Sequence, residues 1–197
     1  MRIGIFPISG DPPHIGHCAS MTKVLNEGLV DRVLCVPAKQ NPWKGEPIGT
    51  FEERCKMVEN MCRNIDNCEM EPIEGELFPP YYTCFTLDAI YKKYGPDNEY
   101  WLIGGTDTVD SLSSWFHYET MIKGKFKVIA FTREGKKPET DEVEYVLVES
   151  DIPDLSSTYI RQLASEGKNL YPYIPESNLE MCQRIYGDVE RQTEFYV

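Results

Sequence analysis

The sequence predicts a doubly wound α/β protein on a parallel sheet, and three observations carry that expectation. Short apolar runs alternate with stretches of helical period along most of the chain. A loop rich in Gly and Pro follows the first apolar run and opens directly into a helical pattern. Cap signals stand where helices should begin, with Thr50 and Glu53 spaced as a capping box.

The elements follow in order. Arg2 to Phe6 reads as a short buried strand, and the Gly and Pro cluster after it forces a turn. From His17 to Glu27 the spacing of Met21, Val24 and Leu25 predicts an amphipathic helix. Arg32 to Pro37 is a second strand, Phe51 to Arg63 a helix, Cys68 to Ile73 a third strand and Thr83 to Tyr94 a helix. Tyr100 to Gly104 reads as a buried strand, Thr108 to Ile122 as a helical stretch, and Phe126 to Thr132 and Val143 to Val148 as the last two strands. Such alternation implies right-handed crossovers, with ligands bound outside the carboxyl ends of the strands. The loops after the first and fourth strands, carrying His14 and Asp107, both open onto that edge. Beyond the acidic, Pro-containing stretch Glu149 to Asp154 the pattern stays helical. Residues 150–197 are therefore expected to pack as a helical extension on a core of residues 1–149, within one domain.

Composition narrows the function classes. The chain has 197 residues, 41% of them hydrophobic, enough to bury a sizeable core. No apolar run reaches transmembrane length, and the N-terminus lacks the basic-then-apolar pattern of a secretion signal. Seven scattered cysteines without a Cys-x-x-Cys pair suit reduced thiols, so a cytoplasmic protein without disulfides is expected. A net charge of -12 disfavours nonspecific binding to nucleic acid or to an anionic membrane. Any anionic substrate must then be met by a local cationic pocket, aided by Mg²⁺.

The first loop holds the most informative residues. His14 and His17 stand at the start of the first helix with Gly16 between them, where unpaired backbone N–H groups and the positive end of the helix dipole gather. That is a place to hold phosphate. A histidine pair packed in a turn is the plainer reading, and a metal site a weaker one, since His117 is the only other histidine and no zinc-type cysteine pair lies nearby. A second hydroxyl-rich start, Ser156-Ser157-Thr158, precedes a helix running through Ile160 and Leu163. Arg161 sits about one turn inside that helix, within reach of a phosphate at its mouth. Asp107 suits a helix N-cap or a carboxylate bonding ribose hydroxyls or orienting Mg²⁺. Trp115 suits the core or an aromatic platform.

These residues carry a resemblance. Asp11-Pro12-Pro13-His14-Ile15-Gly16-His17 is similar to the His-x-Gly-His signature of the nucleotidylyltransferase superfamily, and Leu155 to Arg161 resembles its second signature, Ile-Ser-Ser-Thr-x-Ile-Arg. That second form is the one used by nicotinate and nicotinamide mononucleotide adenylyltransferases. Gly105-Thr106-Asp107 with Trp115 resembles that family's Gly-Ala-Asp and downstream Trp. Tyr82-Thr83-Cys84-Phe85-Thr86-Leu87 resembles its Tyr-Thr-x-x-Thr-Leu segment, and Asn41-Pro42-Trp43-Lys44 its Pro-Pro-His-Lys. The five segments occur in the family's order and span most of the chain. Departures are Pro7-Ile8-Ser9-Gly10 in place of Gly-Gly-Thr-Phe, Trp43 for a His, and Thr106 for an Ala.

The resemblance implies a Rossmann-like fold and transfer of the adenylyl group of ATP to a pyridine mononucleotide, with Mg²⁺. It implies His14, His17 and Arg161 as catalytic groups, and Ile8, Ser9, Gly16, Gly105, Asp107, Ser156, Ser157 and Thr158 as the ATP site. Lys44, Tyr82, Thr83 and Trp115 would meet the mononucleotide, with Arg133 a weaker phosphate partner. Two rival readings stand beside it: another transferase of the superfamily, acting on phosphopantetheine or making a CDP-alcohol, and a non-catalytic nucleotide sensor. The choice between nicotinate and nicotinamide, and the oligomeric state, a homo-oligomer included, stay open at this level.

Overall fold

A computed structural model describes residues 1–41, 45–132, 135–150 and 155–187. Its strands are β1 (Arg2–Ile8), β2 (Arg32–Pro37), β3 (Cys68–Met70), β4 (Glu99–Gly105), β5 (Phe126–Phe131) and β6 (Val146–Val148). They form one sheet in the order β3-β2-β1-β4-β5-β6, with every neighbouring pair parallel. Helices α1 (Ile15–Asn26), α2 (Phe51–Cys62), α3 (Thr83–Tyr94) and α4 (Thr106–Leu112) connect the strands, and α5 (Ser157–Ser165) and α6 (Leu179–Tyr186) follow them. The doubly wound, Rossmann-like class expected from the sequence is the one observed.

Alternate residues of a strand leave the backbone on opposite sides, and here both sides are apolar. Ile3, Ile5, Leu34, Val36, Leu102 and Val128 pack with Leu87 and Ile90 of α3 and Val109 of α4. Phe6, Ile8, Val33, Cys35, Ile103 and Ile129 pack on the other face with Met21 and Val24 of α1 and Val58 and Met61 of α2. Each such side chain contributes about 1.5–3 kcal/mol on burial, and that gain holds the three layers together. The C-terminal helices add a further cluster. Ile160, Leu163, Cys182, Ile185 and Tyr186 pack with Ile174, Ile48 and Met57 of α2. Buried Asn178 fastens this cluster by donating to the Met57 carbonyl at 2.9 Å.

Three expected elements are shorter than their patterns suggested. The third strand stops at Met70, because Pro72 lacks the N–H a ladder needs and Ile73–Glu76 wind into a 3-10 turn instead. The stretch from Thr108 to Ile122 is not one helix: α4 ends at Leu112, and a π-helical turn covers Tyr118–Ile122. Serine hydroxyls compete with the helix there, Ser111 donating to the Asp107 carbonyl at 2.9 Å and Ser114 to the Ser111 carbonyl at 2.6 Å. His117 then reverses the chain in the left-handed conformation, with φ 57°. Of the last strand only Val146–Val148 pair, while Val143 is buried outside the ladder.

The sheet forks where its order reverses. The ladder between β1 and β4 runs from Arg2↔Glu99 to Ile5↔Leu102 and no further. Yet β1 stays paired with β2 through Ile8↔Pro37, and β4 with β5 through Gly105↔Phe131. The last three residues of β1 and of β4 therefore face each other across an open crevice, the position where such sheets bind ligands. Pro7 suits this fork. The Arg2 and Ile8 carbonyls point toward β2, where Asp31 and Ala38 donate to them, whereas the Met1 carbonyl points toward β4 and accepts from Glu99. Alternation turns the N of Pro7 toward β4, where no ladder bond exists to be lost, so a proline is tolerated inside a central strand.

On the β4 side the crevice wall depends on a close approach. A Cβ at Gly104 would lie 2.6–2.7 Å from the Thr108 side chain of α4. Gly104→Ala should therefore lower stability by roughly 1–3 kcal/mol through overpacking, read as a lower urea midpoint with an unchanged m-value.

Candidate active site

The first loop closes on itself through its histidines. His14 is the N-cap of α1, and its backbone N–H donates to Nδ1 of His17 at 3.1 Å. The His17 ring thus carries its proton on Nε2 when neutral, which leaves that nitrogen a donor. The two imidazoles stack with centroids 3.6 Å apart, and the edge of Phe6 braces His17 at 6.0 Å. Gly16 is buried in the first turn of α1, and its carbonyl accepts from Ser20. Ile8 is buried in the apolar cluster under α1 and α2, and its carbonyl accepts from Ala38, so its side chain is not available to a ligand. Ser9 beside it is exposed.

The second motif comes to the same loop. Ser156 is the N-cap of α5 and accepts from the Tyr159 N–H at 3.2 Å. Ser157 donates to the Pro12 carbonyl at 2.8 Å, and Arg161 donates through Nη1 to the Asp11 carbonyl at 2.7 Å and through Nη2 to Thr158 at 3.1 Å. Ile15 at the start of α1 donates to the Tyr173 carbonyl, so the chain after α5 also touches this loop. Segments about 150 residues apart are thereby held on one surface.

A buried carboxylate anchors them. Asp11 is 5% exposed and accepts from Ile48 N–H at 3.1 Å, Gly49 N–H at 2.9 Å and the Tyr186 hydroxyl at 2.8 Å, with Arg161 Nη1 3.8 Å from its second oxygen. Burial, and then the Asp11 charge, push the Tyr186 phenol well above its ordinary range, so it stays a donor. Sequence reasoning quoted Asp11 in the motif but assigned it no role, and missed Tyr186 altogether.

It also missed Arg54. This side chain is 1% exposed and donates to four carbonyls: Gly49 through Nε at 3.0 Å, Ser9 through Nη1 at 2.7 Å, Lys39 through Nη2 at 2.8 Å, and Ala38. Burial lowers the guanidinium from its ordinary value while the nearby Asp11 charge opposes that fall, and it remains charged at neutral pH. A signal was present in the sequence. Arg54 occupies the same helical stripe as the buried Met57, Val58 and Met61, where a charge is out of place unless it is bonded.

The other side of the crevice carries an aromatic wall. Tyr82 is the N-cap of α3, Thr83 its first residue, and the Tyr82 ring lies 4.6 Å from Phe116, which is half exposed. Trp115, in the turn after α4, donates its indole N–H to Ser111 at 3.1 Å and packs partly against the core. Asp107 is exposed in the first turn of α4 and is not its N-cap; that position belongs to Gly105. Lys44 and Arg133 lie outside the described residues. Among the described residues no three His, Cys, Asp or Glu side chains converge to hold a metal ion.

Glu74 links this wall to the loop after β2. It is buried and accepts from Lys39 N–H and from the Thr86 hydroxyl of α3, each at 2.7 Å. Burial raises its carboxyl above the ordinary 4.5. A raised folded-state value means that the native protein holds this proton more tightly than the unfolded chain does. That stabilisation is complete below the ordinary value and is lost as pH rises through the raised one. The urea stability of wild type minus that of Glu74→Gln should accordingly fall as pH is taken upward from 4.5.

Residues 5–163 match the cytidylyltransferase-like family. The probable nicotinate-nucleotide adenylyltransferase of Lactiplantibacillus plantarum is 30% identical over 177 residues, covering 89% of this chain and 82% of that one. The protein of the same name from Flavobacterium johnsoniae is 28% identical over 180 residues, covering 89% and 92%. Among solved structures, the Plasmodium falciparum nicotinic acid mononucleotide adenylyltransferase complexed with NaAD has a TM-score of 0.73 over 94% of this chain and 97% of that one. Its identity of 18% speaks for the fold alone. With a matching family domain over most of its length, and two signature segments hydrogen-bonded to each other, the chain belongs to the cytidylyltransferase-like nucleotidyltransferases and falls among the nicotinate-nucleotide adenylyltransferases.

Proposed function

We propose that this protein transfers the adenylyl group of MgATP to nicotinate mononucleotide, releasing pyrophosphate and forming deamido-NAD. The observation that carries the reading is the convergence of the two signature segments, with Arg161 and Ser157 of α5 bonded to the carbonyls of Asp11 and Pro12. A single triphosphate lying over that junction would meet imidazole, guanidinium and hydroxyl donors together. The choice of nicotinate over nicotinamide is supported by the names of the relatives, and by an α3 N-terminus without a side-chain cap beside the Tyr82 and Phe116 rings. A helix N-terminus not closed by a side chain suits a ring carboxylate.

In this reading a 5'-phosphate oxygen of the mononucleotide attacks the α-phosphorus of ATP. A P–O bond forms, the bond bridging the α- and β-phosphates breaks, and its electron pair leaves with pyrophosphate. The acceptor is already an anion near neutral pH, so no protein nucleophile is needed and catalysis reduces to alignment and charge neutralisation. His17, held by the His14 N–H so that Nε2 is the donor, and His14 stabilise charge on the transferring group. Arg161, Ser156, Ser157 and Thr158 grip the triphosphate, with Ser9, Gly16, Gly105 and Asp107 lining the nucleotide. Lys44, Tyr82, Thr83 and Trp115 receive the mononucleotide. Mg²⁺ enters bound to ATP as part of the substrate, since it prefers phosphate oxygens and water to an all-protein cage. Seven free thiols support work in a reducing cytoplasm.

Pyrophosphate release measured with MgATP and each mononucleotide tests this directly. Nicotinate mononucleotide should be the better acceptor, and His17→Ala should lower kcat about 100-fold or more. Full turnover in that variant, or release with phosphopantetheine instead, would remove the reading. Trp115→Ala should raise KM for the mononucleotide several-fold while leaving KM for ATP unchanged, as measured by varying each substrate at saturation of the other.

A further inference from the structure

The Arg54 guanidinium is the most deeply buried charged group among the described residues, and its partners belong to different loops. Ser9 lies in the loop after β1, which carries His14 and His17. Ala38 and Lys39 open the segment after β2, which leads toward Lys44. Gly49 precedes the cap of α2. Each of these carbonyls points at the same cation, so each loop is located relative to the others through it. The fit is close on every side. A Cβ on Gly49 would come within 3.2 Å of Arg54 Cγ and of Asp11 Oδ1 and within 3.0 Å of the Tyr186 hydroxyl, and Lys39 is held from behind by Glu74.

A planar fork spanning carbonyls of separate segments fixes distances and angles, which a flexible ammonium cannot reproduce. Core packing already joins α2 to the sheet, so anchorage of the helix does not need this charge. What the fork adds is the spacing between the two loops.

We propose that Arg54 is a positioning residue for adenylyl transfer: it sets the separation of the loop after β1 from the loop after β2, so that two separately bound polyanions meet in line. The proposal rests on the adenylyl-transfer reading above. It predicts a particular division of effects, because misalignment slows the chemical step while each substrate still binds its own loop.

The test compares wild type, Arg54→Lys and Glu74→Gln, each checked for folding by thermal melting. The Kd of MgATP and that of nicotinate mononucleotide are measured singly, together with the single-turnover rate at saturation. In Arg54→Lys the rate should fall about 30-fold or more while each Kd stays within about 3-fold of wild type. Glu74→Gln, which turns one of the two oxygens that hold the Lys39 N–H and the Thr86 hydroxyl into a donor, should slow the rate by about 3- to 10-fold with the Kd of MgATP unchanged. A folded Arg54→Lys at wild-type rate, or one whose loss is accounted for by weaker binding of either substrate, overturns the proposal. If Arg54→Lys does not fold, a wild-type rate in Glu74→Gln overturns it. Absence of pyrophosphate release by the wild type with both mononucleotides fails the adenylyl-transfer reading itself, a result distinct from slow variants of an active enzyme.

Discussion

The Asp11 carboxylate is the interaction on which the arrangement of the site depends. Burying an ionised carboxylate costs several kcal/mol unless its lone pairs are met. Here they are met by groups from three distant stretches of chain: the amides of Ile48 and Gly49, the hydroxyl of Tyr186 and, at longer range, Arg161. None of these partners is near Asp11 in sequence, so the charge is satisfied only when the first loop, the entry to α2 and the C-terminal helices have come together. Tyr186 belongs to the same apolar cluster that seats α5 on α2. Packing and polar bonding therefore select one and the same position for Arg161.

This arrangement suits a reaction that asks little covalent chemistry of the protein. Two anions must approach each other, and the groups that lower the cost are those already fixed before substrate arrives. His17 illustrates this. Its ring is braced by Phe6, stacked by His14 and bonded at Nδ1 by a backbone N–H, so neither its orientation nor its proton position needs to be found during the reaction. The chain carries a net charge of -12, and yet the floor of the crevice holds Arg54 and its mouth holds Arg161.

Much of this was legible in the sequence, for physical reasons that differ by element. The strands on both sides of the fork read as apolar runs because both faces are buried, and the box of Thr50 and Glu53 forms as its spacing demands. The meeting of His14, His17 and Arg161 was legible only through resemblance, since periodicity says nothing about which ends converge. Of the two readings of Asp107 the helix cap fails, because the cap lies two positions earlier at Gly105, and the helix after it is shorter than its pattern, because hydroxyl competition by Ser111 and Ser114 is a local bonding choice that apolar spacing does not report. Arg54 and Tyr186 escaped for another reason. Their value lies in partners that are remote in sequence, and a buried cation on an apolar stripe becomes intelligible only once four carbonyls are seen around it.

Pro7 has a lasting consequence for the crevice. Had an ordinary residue stood there, its amide would face β4 and offer a donor with which thermal fluctuation could zip the two chain ends shut. The imino acid withholds that donor permanently, so one ladder bond that would draw β1 toward β4 at the mouth of the gap is ruled out by covalent structure.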